Sequence, residues 1–284
     1  MNDVILLVDK PAGMSSFGVV ARVRRILSEK AGFVELKGKD GVVRQKRKKV
    51  KVGHTGTLDP FATGLLILLT GKETRRSNEF LKLDKEYITT IKLGEVSSTG
   101  DVEGEIETYG AVDGRFALEE PSAGQRPEDE EASARNDGTE ELRVPQEQSD
   151  WIPARKNLII PTLSQVEEVV ASFVGEIEQT VPSFSAVKIN GQRAYKLARE
   201  GKTVEMPRRK VKIYELEILR YEWPELELRC KVSSGTYIRA LGEDIGKELG
   251  VGGYLTQLRR TQVGEYRVED AKTLDEIMRD NVLK

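Results

Sequence analysis

Cysteine and histidine are almost missing from this chain of 284 residues: Cys230 is the only cysteine and His54 the only histidine. A single cysteine excludes an internal disulfide, and one residue of each kind cannot supply the ligands of an ordinary zinc site. Long apolar runs are lacking too, since no stretch of about 18 apolar residues occurs, so we predict no membrane span. Residues 1–9 have neither the basic flank nor the cleavage site of a signal peptide.

A large excess of charge is also lacking, because the formal net charge of the chain is only −2. The charges are unevenly distributed, however. Residues 111–150 contain twelve acidic residues and four arginines, a net charge of −8, which leaves +6 on the rest of the chain. This distribution allows part of the molecule to attract a polyanion such as RNA in spite of the negative total.

Residues 51–66 are the stretch around which the rest of the chain is organised. Three glycines and Pro60 mark it as a shaped loop, and the apolar run at 65–69 is typical of a buried strand. Asp59 lies on this loop, and Pro60 biases its backbone towards an extended conformation. A carboxylate on such a loop is a candidate nucleophile or base. The alternative is an Asp-Pro turn whose carboxylate bonds only to the local backbone.

The sequence at 53–66, Gly-His-Thr-Gly-Thr-Leu-Asp-Pro-Phe-Ala-Thr-Gly-Leu-Leu, resembles the catalytic motif of the TruB family of tRNA pseudouridine synthases. Three further segments resemble the same family in the same order. They are Lys-Glu-Tyr at 85–87, Ser-Gly-Thr-Tyr-Ile-Arg at 234–239 and Gly-Tyr-Leu-Thr-Gln-Leu-Arg-Arg-Thr at 253–261. The resemblance covers most of residues 1–110 and 159–275.

The resemblance implies catalytic roles for three side chains. Asp59 matches the family's catalytic aspartate, Arg239 its active-site arginine and Tyr87 the tyrosine that stacks on the base. Pseudouridine formation breaks the bond between ribose C1′ and uracil N1 and rejoins the base through C5. The reaction needs a carboxylate that attacks the nucleoside, at C1′ or at C6, or that stabilises a cationic sugar. Without the resemblance, Arg239 would be a surface helix arginine and Tyr87 a core tyrosine.

Five further residues match positions that the resemblance assigns to substrate binding: His54, Tyr237, Leu258, Lys10 and Lys85. The histidine would fill the space that the flipped nucleotide leaves, and the two lysines are candidates for phosphate contacts. The alternatives are a histidine bonded to the loop backbone, core packing for Tyr237 and Leu258, and exposed lysines with no such contact.

The implied function is isomerisation of the T-loop uridine of tRNA, at tRNA position 55, after the base is flipped out of the folded loop. No atom enters or leaves, so the resemblance implies no metal, nucleotide or redox cofactor. It implies a monomeric, cytoplasmic enzyme whose partner is the T-arm stem-loop of tRNA. Two alternatives remain: a guide-RNA-dependent pseudouridine synthase in a multiprotein complex, and a non-catalytic tRNA-folding factor that does not need Asp59.

Two segments lie outside the resemblance. Residues 30–51 resemble an insertion with six lysines and arginines at 44–51, which either binds RNA phosphates or is a solvated loop. Residues 111–158 are rich in Gly, Pro, Ser, Asp and Glu without apolar periodicity, which predicts a flexible surface insertion. We expect one pseudouridine synthase catalytic domain over 1–284, with these two insertions. The C-terminal RNA-binding (PUA-like) domain of many TruB-type proteins is expected to be absent or vestigial.

Hairpin and helix signals alternate along the chain. Apolar periodicity predicts a helix at 17–27, a strand at 85–93 and paired strands at 210–221 and 226–233. Thr162 with Gln165 is a capping-box pattern, and a helix is predicted at 237–249. This mixture predicts an α+β or mixed α/β fold, a pseudouridine synthase catalytic fold with a largely antiparallel mixed sheet flanked by helices.

Overall fold

The computed structural model describes residues 3–37, 40, 42–109, 111–112, 115–116, 160–189, 191–202 and 204–279. The chain divides into two compact units. Unit 1 comprises the described residues up to Tyr109 and from Ile160 onwards. Within unit 2, Gly110–Ile159, the described residues form two short paired strands. The rest of the predicted acidic insertion lies outside the described residues.

The described helices are α1 (Ser16–Lys30), α2 (Ser77–Leu81), α3 (Leu163–Ser172), α4 (Ala194–Arg199), α5 (Ile238–Glu248) and α6 (Leu274–Arg279). Two short 3-10 helices lie at Gly71–Arg76 and Val268–Asp270. The described strands are β1 (Ile5–Lys10), β2 (Phe33–Lys37), β3 (Val43–Arg47), β4 (Val52–His54), β5 (Thr63–Thr70), β6 (Lys85–Leu93), β7 (Glu95–Ser97), β8 (Ile106–Thr108), β9 (Ala111–Val112), β10 (Arg115–Phe116), β11 (Gly175–Thr180), β12 (Lys188–Ile189), β13 (Gln192–Arg193), β14 (Arg208–Glu222), β15 (Glu225–Val232), β16 (Gly253–Val263) and β17 (Tyr266–Arg267).

Nine strands of unit 1 form one sheet in the order β1-β5-β16-β6-β15-β14-β11, with β4 paired to β5 and β17 to β16. The strands pair antiparallel except where β5 and β16 run parallel. The predicted fold class, a largely antiparallel mixed sheet flanked by helices, is confirmed. The predicted strand at 85–93 is β6, which lies at the centre of the sheet.

The apolar run of β5 is explained by burial on both of its faces. Leu66 and Leu68 point into the larger core, which contains apolar side chains of α1, α3, α5 and α6. Leu65, Ile67 and Leu69 point to the opposite face, where Phe80 of α2 covers them. A strand covered on both faces has no polar alternation, so β5 places the end of the preceding loop against a rigid layer.

Gly64 permits the parallel contact between β5 and β16. Its φ is +99°, a region that side chains with a Cβ rarely adopt, and an added Cβ would lie 2.3 Å from the Arg260 carbonyl oxygen. The last glycine of the motif therefore allows β16 to pass close to the loop that carries Asp59.

Helix ends follow the capping signals of the sequence. The Ser15 side chain accepts a hydrogen bond from the Gly18 amide at the start of α1. At the start of α3, Thr162 and Gln165 form the predicted capping box. No helix in the described part of the chain is long and apolar enough to cross a membrane.

Candidate active site

Asp59 lies on the loop that joins β4 to β5, and the backbone on both sides of it is fixed. The Ser16 hydroxyl at the start of α1 accepts a hydrogen bond from the Leu58 amide (2.8 Å) and donates one to the Leu58 carbonyl (2.9 Å). After Asp59, the Gly13 amide donates to the Pro60 carbonyl (2.8 Å). These bonds preorganise the position of the carboxylate.

Arg239, on the first turn of α5, forms an ion pair with Asp59. Its Nε lies 3.1 Å from Asp59 Oδ2, and its side chain is 5% exposed against 33% for Asp59. Nη1 lies 3.3 Å from Oδ2 of Asp101, whose side chain is 3% exposed. The guanidinium also donates to the carbonyls of Thr99 (2.7 Å) and Phe184 (2.8 Å). Two carboxylates and two carbonyls thus compensate a buried cation that would be costly alone.

The pKa of the Asp59 carboxyl is raised above its ordinary value. Burial is the main cause, the Arg239 charge opposes it, and the Asp101 charge adds to the rise. A carboxylate with a raised pKa is a better base and nucleophile than an ordinary aspartate, and its partner arginine keeps the ionised form accessible.

Tyr87, on β6, is buried beside Arg260 of β16. The Arg260 guanidinium donates from Nε to the Leu65 carbonyl (2.7 Å) and from Nη2 to the Gly56 carbonyl (3.3 Å). Arg260 is also the cross-strand partner of Tyr87 in the pairing of β16 with β6. Burial raises the pKa of Tyr87, so its hydroxyl is neutral at physiological pH. Arg260 therefore ties the catalytic loop to the tyrosine that is predicted to stack on the base.

The positions of His54 and Leu258 fit substrate binding, and they equally fit the alternatives, a histidine bonded to the loop backbone and a leucine packed in the core. The Gly56 amide donates to Nδ1 of His54 (3.4 Å). Burial and the nearby Arg260 charge lower the pKa of His54, which favours a neutral ring at pH 7. Leu258 is buried in the larger core.

Tyr237 immediately precedes α5, and its backbone is held by the buried Gln179. The Tyr237 amide donates to Gln179 Oε1 (3.1 Å), and Gln179 Nε2 donates to the Tyr237 carbonyl (3.2 Å). The Arg209 guanidinium lies 5.5 Å from the centroid of the Tyr237 ring. The ring is half-buried beside a cation, an arrangement that a nucleotide can share.

The structure buries the two lysines that are predicted to bind phosphates. Both are buried, which contradicts the alternative that they are exposed. Lys10 Nζ donates to the carbonyls of Pro11 (2.8 Å), Met14 (2.6 Å) and Pro60 (3.0 Å), so none of its three donors remains for a phosphate. Lys85 Nζ donates to the carbonyls of Leu81 and Leu83. Burial lowers the pKa of each lysine to about 8. Both ammonium groups order turns instead of facing solvent.

No group of three or more His, Cys, Asp or Glu side chains in the described residues could hold a metal ion. Two of the carboxylates near this site, Asp59 and Asp101, are both engaged by Arg239.

Comparison with known families decides the chain's identity. The model of the N-terminal domain of TruB family pseudouridylate synthases matches residues 44–119 and 142–238. The model of the tRNA pseudouridylate synthase B C-terminal domain matches residues 239–283. The chain belongs to the TruB family. The predicted family and enzyme class, a tRNA pseudouridine synthase and hence an isomerase, are confirmed.

Individual relatives of this TruB family chain agree with that assignment. It is 37% identical over 283 residues to tRNA pseudouridine synthase B of Parabacteroides distasonis, covering 99% of this chain and 95% of the relative. It is 38% identical over 272 residues to that of Phocaeicola vulgatus, covering 95% and 90%.

Solved structures show the same fold. A Cbf5–Nop10–Gar1 complex matches with a TM-score of 0.56 at 25% identity, covering 97% of this chain and 53% of the solved chain. An archaeal box H/ACA sRNP Nop10–Cbf5 complex matches with a TM-score of 0.54 at 22% identity, covering 97% and 52%. The TruB family chain thus spans about half the length of these solved chains.

Three residues that hold the TruB site together were missed by the sequence analysis: Asp101, Gln179 and Arg260. Arg260 lies inside the matched segment at 253–261, so the segment was found but not the residue. Asp101 follows a Ser-Ser-Thr-Gly turn that marks a loop without indicating its partner. Gln179 lies on an ordinary strand, and nothing local distinguishes it.

Proposed function

We propose that this protein isomerises the T-loop uridine of tRNA, at position 55, to pseudouridine with Asp59 as the nucleophile. The observation that carries the proposal is the ion pair between Asp59 and the buried Arg239, on a loop whose backbone is fixed on both sides. The paired arginine favours the ionised carboxylate, whereas burial makes that carboxylate more reactive than one in water.

The surrounding residues supply the rest of the chemistry in this proposal. The target uridine is flipped out of the T-loop so that its base lies against Tyr87 and its sugar near Tyr237. Arg239 keeps Asp59 aimed at the nucleoside, at C1′ or at C6, while Arg260 keeps the loop against Tyr87. His54, neutral at pH 7, fills the space that the flipped nucleotide leaves.

Mapping of pseudouridine in an unmodified tRNA transcript tests the substrate. The purified protein is incubated with the transcript alone, and pseudouridine is mapped by carbodiimide modification and primer extension. We expect one new pseudouridine, in the T-loop. A transcript with cytidine at that position is the matched control and should gain none. A pseudouridine elsewhere in the tRNA would contradict the proposed site.

The same incubation separates the two alternatives from the proposal. A guide-RNA-dependent enzyme would be inactive without a guide RNA and its protein partners, so activity of the purified chain excludes that alternative. A tRNA-folding factor would leave the transcript without pseudouridine. We further propose that the protein acts as a monomer in the cytoplasm on the T-arm stem-loop. Sedimentation with and without tRNA should show one protein per RNA.

A further inference from the structure

The β2–β3 hairpin lies on the surface and does not build the core. Every side chain of β3 is exposed, and Phe33 at the start of β2 is 63% exposed. The strands pair from Phe33 opposite Arg47 to Lys37 opposite Val43. Because no described residue covers either face of β3, the residues of this strand can contact another molecule.

Positive charge dominates the second half of this hairpin and its exit. The basic ridge consists of Arg44, Lys46, Arg47, Lys48, Lys49 and Lys51, all of them exposed. The two arginines pair with acids, Arg44 with Asp40 and Arg47 with Glu29. The four lysines have no acidic partner within the described ranges. Four neighbouring cations without counter-charges repel one another, which a polyanion would relieve.

The basic ridge lies far from Asp59, at the opposite end of α1. At the first residue of α1, Ser16 holds Leu58 of the catalytic loop. Near the last residues, the Val50 amide donates to Ser28 Oγ (3.2 Å) and the Lys48 amide to the Gly32 carbonyl (2.9 Å). A helix of fifteen residues at about 1.5 Å per residue separates these two anchors by roughly 20 Å. Lys48, Lys49 and Lys51 follow the base of the hairpin beside the second anchor, and Lys46 lies one residue further along β3.

We propose that the basic ridge is a second RNA-binding surface, which binds phosphates of tRNA beyond the stem-loop that carries the target uridine. This inference rests on the proposed T-loop substrate. A uridine placed against Asp59 would lie roughly 20 Å from the ridge, so a stem that runs along α1 would bring its far end to the ridge. The four unpaired cations are lysines, whose compact charges suit phosphates and read no base sequence. The ridge therefore adds affinity for tRNA without adding base specificity.

Removal of the four lysine charges tests the inference. Lys46, Lys48, Lys49 and Lys51 are changed together to Gln, and filter binding is measured from low to high salt with two RNAs. These are the full-length unmodified tRNA transcript and the isolated T-arm stem-loop. For the full-length tRNA, the slope of log affinity against log salt should fall by roughly 0.7–0.9 for each phosphate that the variant no longer binds. For the isolated stem-loop, affinity and slope should hardly change.

A charge-conserving variant is the matched control. Lys46, Lys48, Lys49 and Lys51 are changed to Arg, which keeps every charge in place and should retain the wild-type slope. The Gln variant should keep the wild-type melting temperature, since none of its four side chains is buried, and its rate at saturating tRNA, since Asp59 is roughly 20 Å away.

Two outcomes would overturn the inference. An unchanged salt slope with full-length tRNA would leave the ridge as a solvated surface or a protein-binding one. Equal decreases in affinity with both RNAs would place the binding within the stem-loop rather than beyond it. Wild-type turnover on the transcript is measured in parallel. If no pseudouridine forms, the proposed function fails, whereas the comparison of the two RNAs still decides whether the ridge binds RNA.

Discussion

A single side chain, Arg239, joins the proposed nucleophile to three other groups around it. It pairs with Asp59 and Asp101 and donates to the carbonyls of Thr99 and Phe184. The sequence motif identified Arg239 and Asp59 although 180 positions separate them, because each lies in its own recognisable segment. Asp101 was missed because its importance arises only from the contact with Arg239, and contacts across the fold leave no local pattern.

Two substitutions of Tyr87 distinguish base stacking from chemistry by its hydroxyl. Tyr87→Phe keeps an aromatic ring for the flipped base, whereas Tyr87→Leu removes it. Loss of stacking should cost about 1–3 kcal/mol, or roughly 5- to 150-fold in rate. We therefore expect single-turnover measurements on tRNA to show a larger loss for Leu than for Phe. An equally inactive Phe variant would show that the hydroxyl takes part in the chemistry.

Among the elements, α5 brings a third acid, after Asp59 and Asp101, near Arg239. Glu243 lies one turn further along the helix, partly buried against Gly100, and burial raises its pKa from 4.5 to about 7. A carboxyl group whose pKa is higher in the folded than in the unfolded state adds stability at pH values below its unfolded pKa. That contribution is lost as the pH rises through the folded pKa. Ionisation of Glu243 beside the active site therefore lowers the free energy of unfolding.

Replacing this carboxyl should flatten the pH dependence of stability. In wild type, the Glu243 contribution to the free energy of unfolding should decline between pH 5 and pH 8 by roughly 1–2 kcal/mol, allowing for partial solvation. Glu243→Gln, which stays neutral, should lack this decline in urea unfolding. Glu248→Gln removes an exposed carboxyl of the same helix and is the matched control. If the free energy of unfolding depends on pH in the same way in wild type and in Glu243→Gln, the burial of the Glu243 carboxyl is contradicted.

Over the whole molecule, helices, strands and caps were easier to predict than side-chain environments. The strand at 85–93 and the capping box at 162–165 were predicted because periodicity and caps are local properties. The surroundings of Lys10 and Lys85 could not be predicted, because they come from turns that only the folded chain brings together. The continuous apolar run of β5 gave no indication of which residue faces which core.

The acidic insertion is predicted to be dispensable for folding and for turnover. Residues 113–150 have a net charge of −8 and no apolar periodicity. A variant with a short Gly-Ser linker in their place should melt within a few degrees of wild type and keep its turnover. Its tRNA affinity at low salt should rise, because the net charge changes from −2 to +6. A Gly-Ser segment of the full original length is the control for linker effects. A large drop in melting temperature would mean that the insertion packs on the core.

The central claim is that Asp59 performs the chemistry, and Asp59→Asn tests it most directly. The amide is nearly isosteric and can still accept from Arg239, but it is not a nucleophile. Single-turnover pseudouridine formation on unmodified tRNA should fall by more than about a thousandfold, while filter binding stays within several-fold of wild type. Asp270→Asn, an exposed aspartate, is the control and should change neither. Substantial turnover by Asp59→Asn would contradict the assignment of Asp59 as the nucleophile.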